Sequence, residues 1–144
     1  MRTHRLGSVL LLVLALVAGA CSDGPTDARA RVAGTYELQD VNGSSLPATI
    51  AVAPEGRLEI TSGTMVLRAD ESYTETVRLR IIFNDGQTET ESFIENGTYS
   101  MTGGTITFTV PPSLGEEGFS YTGEVSGRTL TYTAQGLTAT YRRS

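Results

Sequence analysis

The sequence predicts an all-β fold, an antiparallel up-and-down meander of roughly eight to ten strands that closes into a barrel. Three segments alternate strictly between polar and apolar residues, as half-buried strands do: 105–110, 129–134 and 137–141. No apolar pattern at helical spacing persists beyond about two turns. Because the open edges of a long meander promote aggregation, we expect closure, and a two-sheet β-sandwich is the alternative.

Four strands are predicted in the first half of the domain, at 35–41, 47–53, 57–68 and 72–83. The first strand ends at Asn42-Gly43, a dipeptide typical of hairpin turns. In the fourth strand, period-two alternation places a set of apolar side chains on one face: Tyr73, Val77, Leu79 and Ile81.

Five more strands are predicted, at 87–101, 104–110, 118–126, 128–134 and 137–142. Residues that tolerate positive φ separate several of them: Asp85-Gly86, Ser126-Gly127 and Gln135-Gly136. Ser62-Gly63 and Asn96-Gly97 lie inside longer segments, where we expect bulges or additional turns. Residues 111–118 form the one long loop. The inward face of the last strands is predicted to carry Ile106, Phe108, Val110, Leu130, Tyr132, Leu137, Ala139 and Tyr141.

Residues 1–20 have the organisation of a signal peptide. Arg2 and Arg5 form a short basic region, and residues 6–20 carry no charge. As a helix, these fifteen residues would span about 22 Å, which is less than the ~30 Å hydrocarbon core of a bilayer. The segment therefore fits the apolar region of a signal better than a transmembrane helix.

The small residues Ala18-Gly19-Ala20 precede Cys21, the only cysteine of the chain. This pattern resembles the lipobox of bacterial lipoproteins, with Ala18 where leucine is more usual. The resemblance implies cleavage before Cys21, a diacylglycerol on its sulfur and acylation of the new amino group, with palmitate as a typical chain. Two or three chains, at about 0.8 kcal/mol per buried CH₂, would anchor the protein stably. An ordinary secretory signal cut after Ala20 is the alternative.

Residues 21–31 are predicted to be the lipidated cysteine and a flexible tether, because they are polar and lack apolar periodicity. The barrel domain then occupies 32–144. Ser22 resembles the residue that follows the cysteine in lipoproteins exported to the outer membrane. We therefore expect a lipid-anchored protein of the cell envelope, most simply at the outer membrane, on either its periplasmic or its surface face.

Composition excludes several classes of function. Cleavage would remove two of the 11 basic residues and leave 9 against 16 acidic residues, a net charge of −7, which disfavours nucleic acid as a partner. Lysine is absent, and His4 and Cys21 both precede the domain. The domain therefore lacks Ser-His and Cys-His pairs, Schiff-base lysines, disulfides and the usual zinc ligands. We expect no enzymatic activity, no metal and no cofactor.

Several segments of the domain resemble lipocalins and small lipocalin-like bacterial lipoproteins. Gly34-Thr35-Tyr36 resembles the Gly-x-Trp opening of lipocalins, with tyrosine in place of tryptophan. Three further segments are similar to turns and hairpins of the bacterial proteins: 41–47, 69–74 and 96–99. The resemblance covers 32–143 and implies a closed, lipocalin-like barrel.

The resemblance also implies how the barrel closes. In lipocalins, the first-strand aromatic packs near the closed end under an arginine of the last strand. Tyr36 matches the aromatic, and it follows Gly34 in the opening motif. Alternation along the last strand makes Arg143, rather than Arg142, the inward arginine. A guanidinium over a ring would contribute roughly 0.5–2 kcal/mol.

Four residues are candidates for a ligand site: Glu75, Phe119, Tyr121 and Tyr132. Glu75 shares the inward face of its strand, where a carboxylate needs a partner or must be neutral. It is either a polar anchor for a ligand at the barrel mouth or a rim residue, hydrated or paired with an arginine. The three aromatic residues, with Tyr141, either fill the core or line an open barrel.

Glu89, Glu91 and Glu95 share one face of their strand. Three such carboxylates can bind a cation such as Ca²⁺. Ladders of this kind are more typical of a solvated outer face, here opposite Arg78 and Arg80 on the neighbouring strand. No pair of carboxylates stands out as an acid and base of the glycosidase type.

The sequence thus predicts a non-enzymatic envelope lipoprotein that contacts the membrane through its anchor and binds a small apolar ligand. The alternative is an interaction or structural lipoprotein without a pocket, such as an assembly factor or an inhibitor of an envelope enzyme. In that case, the loop 111–118 would form the surface that contacts the partner protein.

Overall fold

The computed structural model describes residues 30–144, which are nearly all β. After a short helical turn at 30–32, ten strands follow: β1 (Gly34–Val41), β2 (Ser44–Ser45), β3 (Ala48–Ala53), β4 (Gly56–Leu67), β5 (Ser72–Phe83), β6 (Thr88–Thr102), β7 (Thr105–Val110), β8 (Phe119–Ser126), β9 (Thr129–Ala134) and β10 (Leu137–Arg143). The predicted signal peptide, Cys21 and most of the tether lie outside the described residues. Within 30–144, no helix is long and apolar enough to cross a bilayer.

The strands form a closed eight-stranded antiparallel barrel. Strands β4 to β10 pair consecutively, and β1 pairs with β10. The first half of β1 also pairs with the end of β4, from Gly34 opposite Leu67 to Glu37 opposite Thr64, and this pairing closes the sheet. Strands β2 and β3 extend the sheet beside β1 and β4. The predicted meander and its closure are confirmed, so the two-sheet alternative is not the observed fold.

All nine predicted strands are present, and β2 is the one addition. Asn42-Gly43 and Gln135-Gly136 have positive φ at both residues, as expected for tight hairpins. At Ser126-Gly127 the turn lies one residue later, because Ser126 still pairs with Thr129. The loop after β5 contains three residues, 84–86, since Phe83 donates its backbone N–H to the carbonyl of Gln87.

The two expected irregularities have different outcomes. A bulge lies in β4 beside Ser62-Gly63, where the register with β5 shifts between Ile60 and Ser62. Strand β6, by contrast, passes through Asn96-Gly97 without a shift in its pairing to β5. Position 97 requires glycine because the neighbouring atoms leave no room for a Cβ, and not because the chain turns there.

The core fills the end of the barrel where β1 begins. Its fully buried side chains come from every part of the sheet: Tyr36, Met65, Leu67, Tyr73, Ile106, Phe108, Leu130 and Tyr141. Burying a side chain of this size contributes roughly 1.5–3 kcal/mol. Most of the residues that period-two alternation places inward are buried or, nearer the other end, line a cavity, whereas Ile81 is partly exposed and lies outside the cavity lining.

Gly34, Tyr36 and Arg143 lie together at this closed end. Tyr36 and Arg143 are direct cross-strand partners, and the Tyr36 hydroxyl donates to the carbonyl of Val32 at 2.7 Å. The Arg143 guanidinium donates to the carbonyls of Arg31, at 2.6 Å, and Ala33, at 2.5 Å. A Cβ on Gly34 would lie 2.6 Å from Arg143 Nε, so the glycine makes room for the guanidinium. The arginine thus fastens the entering chain to the last strand.

Gly97 is the tightest point between β6 and its neighbours. A Cβ there would lie 2.3 Å from the backbone oxygen of Thr109 and 2.7 Å from the ring of Tyr73, its cross-strand partner. The ring of Tyr73 thus covers a glycine that no larger residue can replace without a shift of the backbone.

We expect Gly97→Ala to lower the free energy of unfolding by about 1–3 kcal/mol, because the added methyl group overpacks this contact. Gly104→Ala is the matched control, since its Cβ would meet only Val125 O at an ordinary 3.4 Å. The control should change stability by less than about 1 kcal/mol. Urea denaturation of both variants measures the difference, and equal effects would contradict this account.

Candidate functional site

A cavity of about 690 Å³ occupies the end of the barrel opposite Arg143. Its walls are mainly aliphatic and aromatic, and the aliphatic residues include Leu38, Val41, Ile50, Ile60, Val77, Leu79 and Leu137. The volume lies within the range of about 300–1,000 Å³ that is usual for small-molecule sites. The barrel is therefore filled by side chains at one end and open at the other.

Glu75 lies on the floor of this cavity and is 4% exposed. It projects inward from β5, and its Oε1 accepts hydrogen bonds from the hydroxyls of Tyr132, at 2.6 Å, and Tyr141. The expectations of a position at the mouth or rim and of an arginine partner are wrong, because the carboxyl is buried at the cavity floor and its hydrogen-bond partners are tyrosines. The interpretation of Glu75 as a polar anchor for a ligand remains a prediction.

A second carboxylate, Glu95, lies directly across from Glu75 on β6. Its Oε1 accepts hydrogen bonds from Tyr73 at 2.6 Å and Tyr121 at 2.8 Å. The two glutamates and four tyrosines form a polar layer, hereafter the Glu-Tyr layer, between the apolar core and the cavity. Phe108 supports this layer from below, with its ring centroid 4.9 Å from those of Tyr73 and Tyr121.

The Glu-Tyr layer changes the acidity of its members. Burial raises the pKa of Glu75, the two tyrosine hydroxyls oppose this, and the nearby Glu95 adds to it. Burial also raises the pKa of each of the four tyrosines, and the adjacent carboxylates reinforce the shift. The hydroxyls therefore stay protonated and act as hydrogen-bond donors at any physiological pH.

The predicted outer-face ladder of glutamates is wrong. Register places Glu89, Glu91 and Glu95 opposite Ile81, Leu79 and Glu75, which is the inner face. Arg78 and Arg80 oppose Ser92 and Thr90 instead, and Arg80 pairs with Glu59 of β4 at 2.7 Å. In the part of the chain that the structure describes, no three acidic, histidine or cysteine side chains converge as a metal-ligand group.

The mouth of the cavity carries several exposed apolar side chains. Phe119 lines it at 42% exposure, with Phe93 and Ile94 from β6. The loop after β7 contributes Pro111 and Pro112 to the lining, so it borders the opening. An exposed apolar rim of this kind is common at binding sites.

All four predicted ligand-site residues line the cavity: Glu75, Phe119, Tyr121 and Tyr132. Tyr141 lines it too, although its ring is fully buried. Two residues of the Glu-Tyr layer, Glu95 and Tyr73, are not among the predicted site residues. Alternation places Glu95 on the same strand face as Phe93, but the predicted position of that face is the outside of the barrel.

No protein-family model matches the chain, and no curated protein sequence matches it. The resemblance to lipocalins therefore rests on short motifs and stays a prediction, whereas the closed barrel and its cavity are properties of the structure.

Replacing Glu75 tests the buried carboxyl. Because the folded state raises its pKa, the contribution of this group to stability is complete below its ordinary value of 4.5 and is lost as the pH rises through the folded-state pKa. Glu75→Gln keeps an acceptor and carries no charge. We expect its free energy of unfolding, relative to the wild type, to increase as the pH rises from about 4 to about 8.

Urea denaturation across this pH range measures the effect. Glu89→Gln is the control, because it removes an exposed carboxylate from the same strand pair, and its difference from the wild type should change little with pH. A pH-independent difference for Glu75→Gln would show that the buried carboxyl is not destabilised by ionisation.

Proposed function

We propose that this chain is a lipid-anchored protein of the cell envelope whose barrel binds a small apolar ligand without transforming it. The observation that carries the proposal is the cavity of about 690 Å³, bounded by aliphatic and aromatic side chains. An eight-stranded barrel is just wide enough either to be filled by side chains or to hold one small ligand. In this barrel, the end opposite Arg143 is open and provides the space for a ligand.

The chemistry of the cavity supports binding over catalysis. The lining offers carboxyl, hydroxyl and amide groups, and residues 30–144 contain no histidine, lysine or cysteine. The tyrosine hydroxyls stay protonated and donate hydrogen bonds to the glutamates, so none of them is an activated nucleophile. These groups orient a bound molecule and do not form covalent bonds to it.

The position of the mouth supports an anchored binding protein. The chain enters the barrel at the closed end, where Arg143 binds the carbonyls of Arg31 and Ala33. A tether that leads back to Cys21 therefore leaves the barrel at the end opposite the cavity. An anchor there would not obstruct the entry of a ligand.

The same geometry favours ligand binding over the pocketless alternative. The loop 111–118, expected as the contact surface of an interaction protein, instead contributes to the lining of the cavity. Its residues are exposed and border the mouth, where they are placed to contact an entering molecule.

Blocking the cavity tests the proposal. Val77 lines the cavity, so Val77→Trp should lower the affinity for a neutral phenylnaphthylamine dye about tenfold or more by occupying its space. Arg78→Trp, on the outer face of the same strand, is the control and should leave the affinity unchanged. The dye is titrated by fluorescence into residues 21–144 carrying Cys21→Ser, and native mass spectrometry of that protein identifies any ligand that copurifies. Absence of dye binding, or equal binding by both variants, would contradict the proposal.

The anchor is tested separately. Expressed in a bacterial host, the wild-type chain should begin at Cys21, carry the mass of its acyl groups and sediment with membranes. Cys21→Ala should lose both the added mass and the membrane association, whereas Ser22→Ala should retain both. A wild-type protein with an unmodified thiol would refute the anchor and leave the cavity prediction untouched.

A further inference from the structure

Among the described residues, the lining of the cavity contains acidic side chains and no basic one. The acidic residues are Glu75 and Glu95 at the floor and Glu116 at the mouth. Lysine is absent from the whole sequence. Among residues 30–144, no basic side chain therefore meets these carboxyl groups inside the cavity, and a bound molecule can supply a cationic group.

The two floor carboxylates retain acceptor capacity on one side. The hydroxyls of Tyr132 and Tyr141 both donate hydrogen bonds to Oε1 of Glu75. Those of Tyr73 and Tyr121 both donate to Oε1 of Glu95. Within residues 30–144, the structure shows no hydrogen bond to Oε2 of either residue. Glu75 is 4% exposed and lines the cavity, so it is a buried acceptor that a ligand donor can still reach.

The aromatic rings around this floor complete the pattern. Tyr121, Tyr132 and Tyr141 line the cavity beside the carboxylates, and the Tyr121 and Tyr132 ring centroids are 5.0 Å apart. Ring faces attract cations through their quadrupole, and this attraction grows where water is excluded. Carboxylates and ring faces together are the surroundings that stabilise an ammonium group in proteins.

The walls above the floor determine which chemical groups can occupy the rest of the cavity. They are aliphatic from β4 and β5 and aromatic at the rim, which suits a hydrocarbon chain or ring system. An inorganic cation such as Ca²⁺ fits less well, because it takes six to eight oxygen ligands and the floor offers two carboxylates.

We propose that the ligand of this cavity is a cationic amphiphile, an organic amine whose ammonium group lies at Glu75 and Glu95 and whose apolar part fills the space up to the mouth. This inference rests on the proposed function, since it names the chemical class of the ligand for the same cavity. It adds that a neutral or anionic molecule of equal apolar size binds less tightly.

Three probes with the same chain length test the inference: octylamine, octanol and octanoate. Each is titrated by calorimetry into the full chain reconstituted in phosphatidylcholine nanodiscs at pH 7, with empty nanodiscs as the blank. We expect octylamine to bind about tenfold or more tightly than octanol, and octanoate to bind weakest. The double variant Glu75→Gln, Glu95→Gln should lose this preference for the amine.

Glu89→Gln is the control, because Glu89 lies on the same strand face and does not line the cavity, and it should keep the amine preference. Octanol binding as tightly as octylamine would overturn the inference and leave the proposed function standing. Failure of all three probes to bind would overturn both. A preference for the amine that persists in the double variant would also overturn the inference, because the ammonium would then lie elsewhere.

Discussion

Strand β1 hydrogen-bonds to two neighbours at once, to β10 on one side and to β4 on the other. This double pairing turns an open meander into a closed sheet, and every other property of the domain depends on it. Closure satisfies the backbone groups at the sheet edges that would otherwise attract other chains. It also converts one face of each strand into an interior, so that residues far apart in sequence, such as Glu75 and Tyr141, meet across the barrel.

The interior of the barrel is built in layers. A barrel of this size either is filled by side chains or holds a small ligand, and here each condition occupies a different end. The end near Arg143 is packed with large side chains, and the other end is a cavity. The Glu-Tyr layer separates the two. Its buried carboxyl groups would be costly without hydrogen-bond donors, and the four tyrosine hydroxyls supply these donors. The layer therefore combines a satisfied core boundary with an acidic cavity floor.

The two ends of the barrel are suited to different tasks. Arg143, Gly34 and Tyr36 bind the chain where it enters, and the mouth at the far end is bordered by the exposed Phe119 and by the loop 111–118. Because these two groups of residues lie at opposite ends of the barrel, attachment at one end leaves the mouth at the other end uncovered. This separation supports the proposed combination of an anchor at one end and ligand entry at the other.

Closure of the sheet was expected because open strand edges promote aggregation. Period-two alternation and turn residues were sufficient to predict nine strands and the inward positions of Tyr121, Tyr132 and Glu75. These features are local, because a strand's two faces are defined by its own residues. The partner of Glu75 was not predictable in this way. A two-residue turn at Asp85-Gly86 would place Asn96 opposite Glu75, and the observed three-residue loop places Glu95 there.

A shift of one residue moves every side chain of a strand to the other face, and this is why the glutamates of β6 were assigned to the outside. The sequence determined which residues form strands and which chemistry the domain lacks. Only the tertiary structure decided the register of β5 with β6, the meeting of two carboxylates with four tyrosines, and the size of the cavity. Register and volume depend on contacts between distant segments, which no local pattern contains.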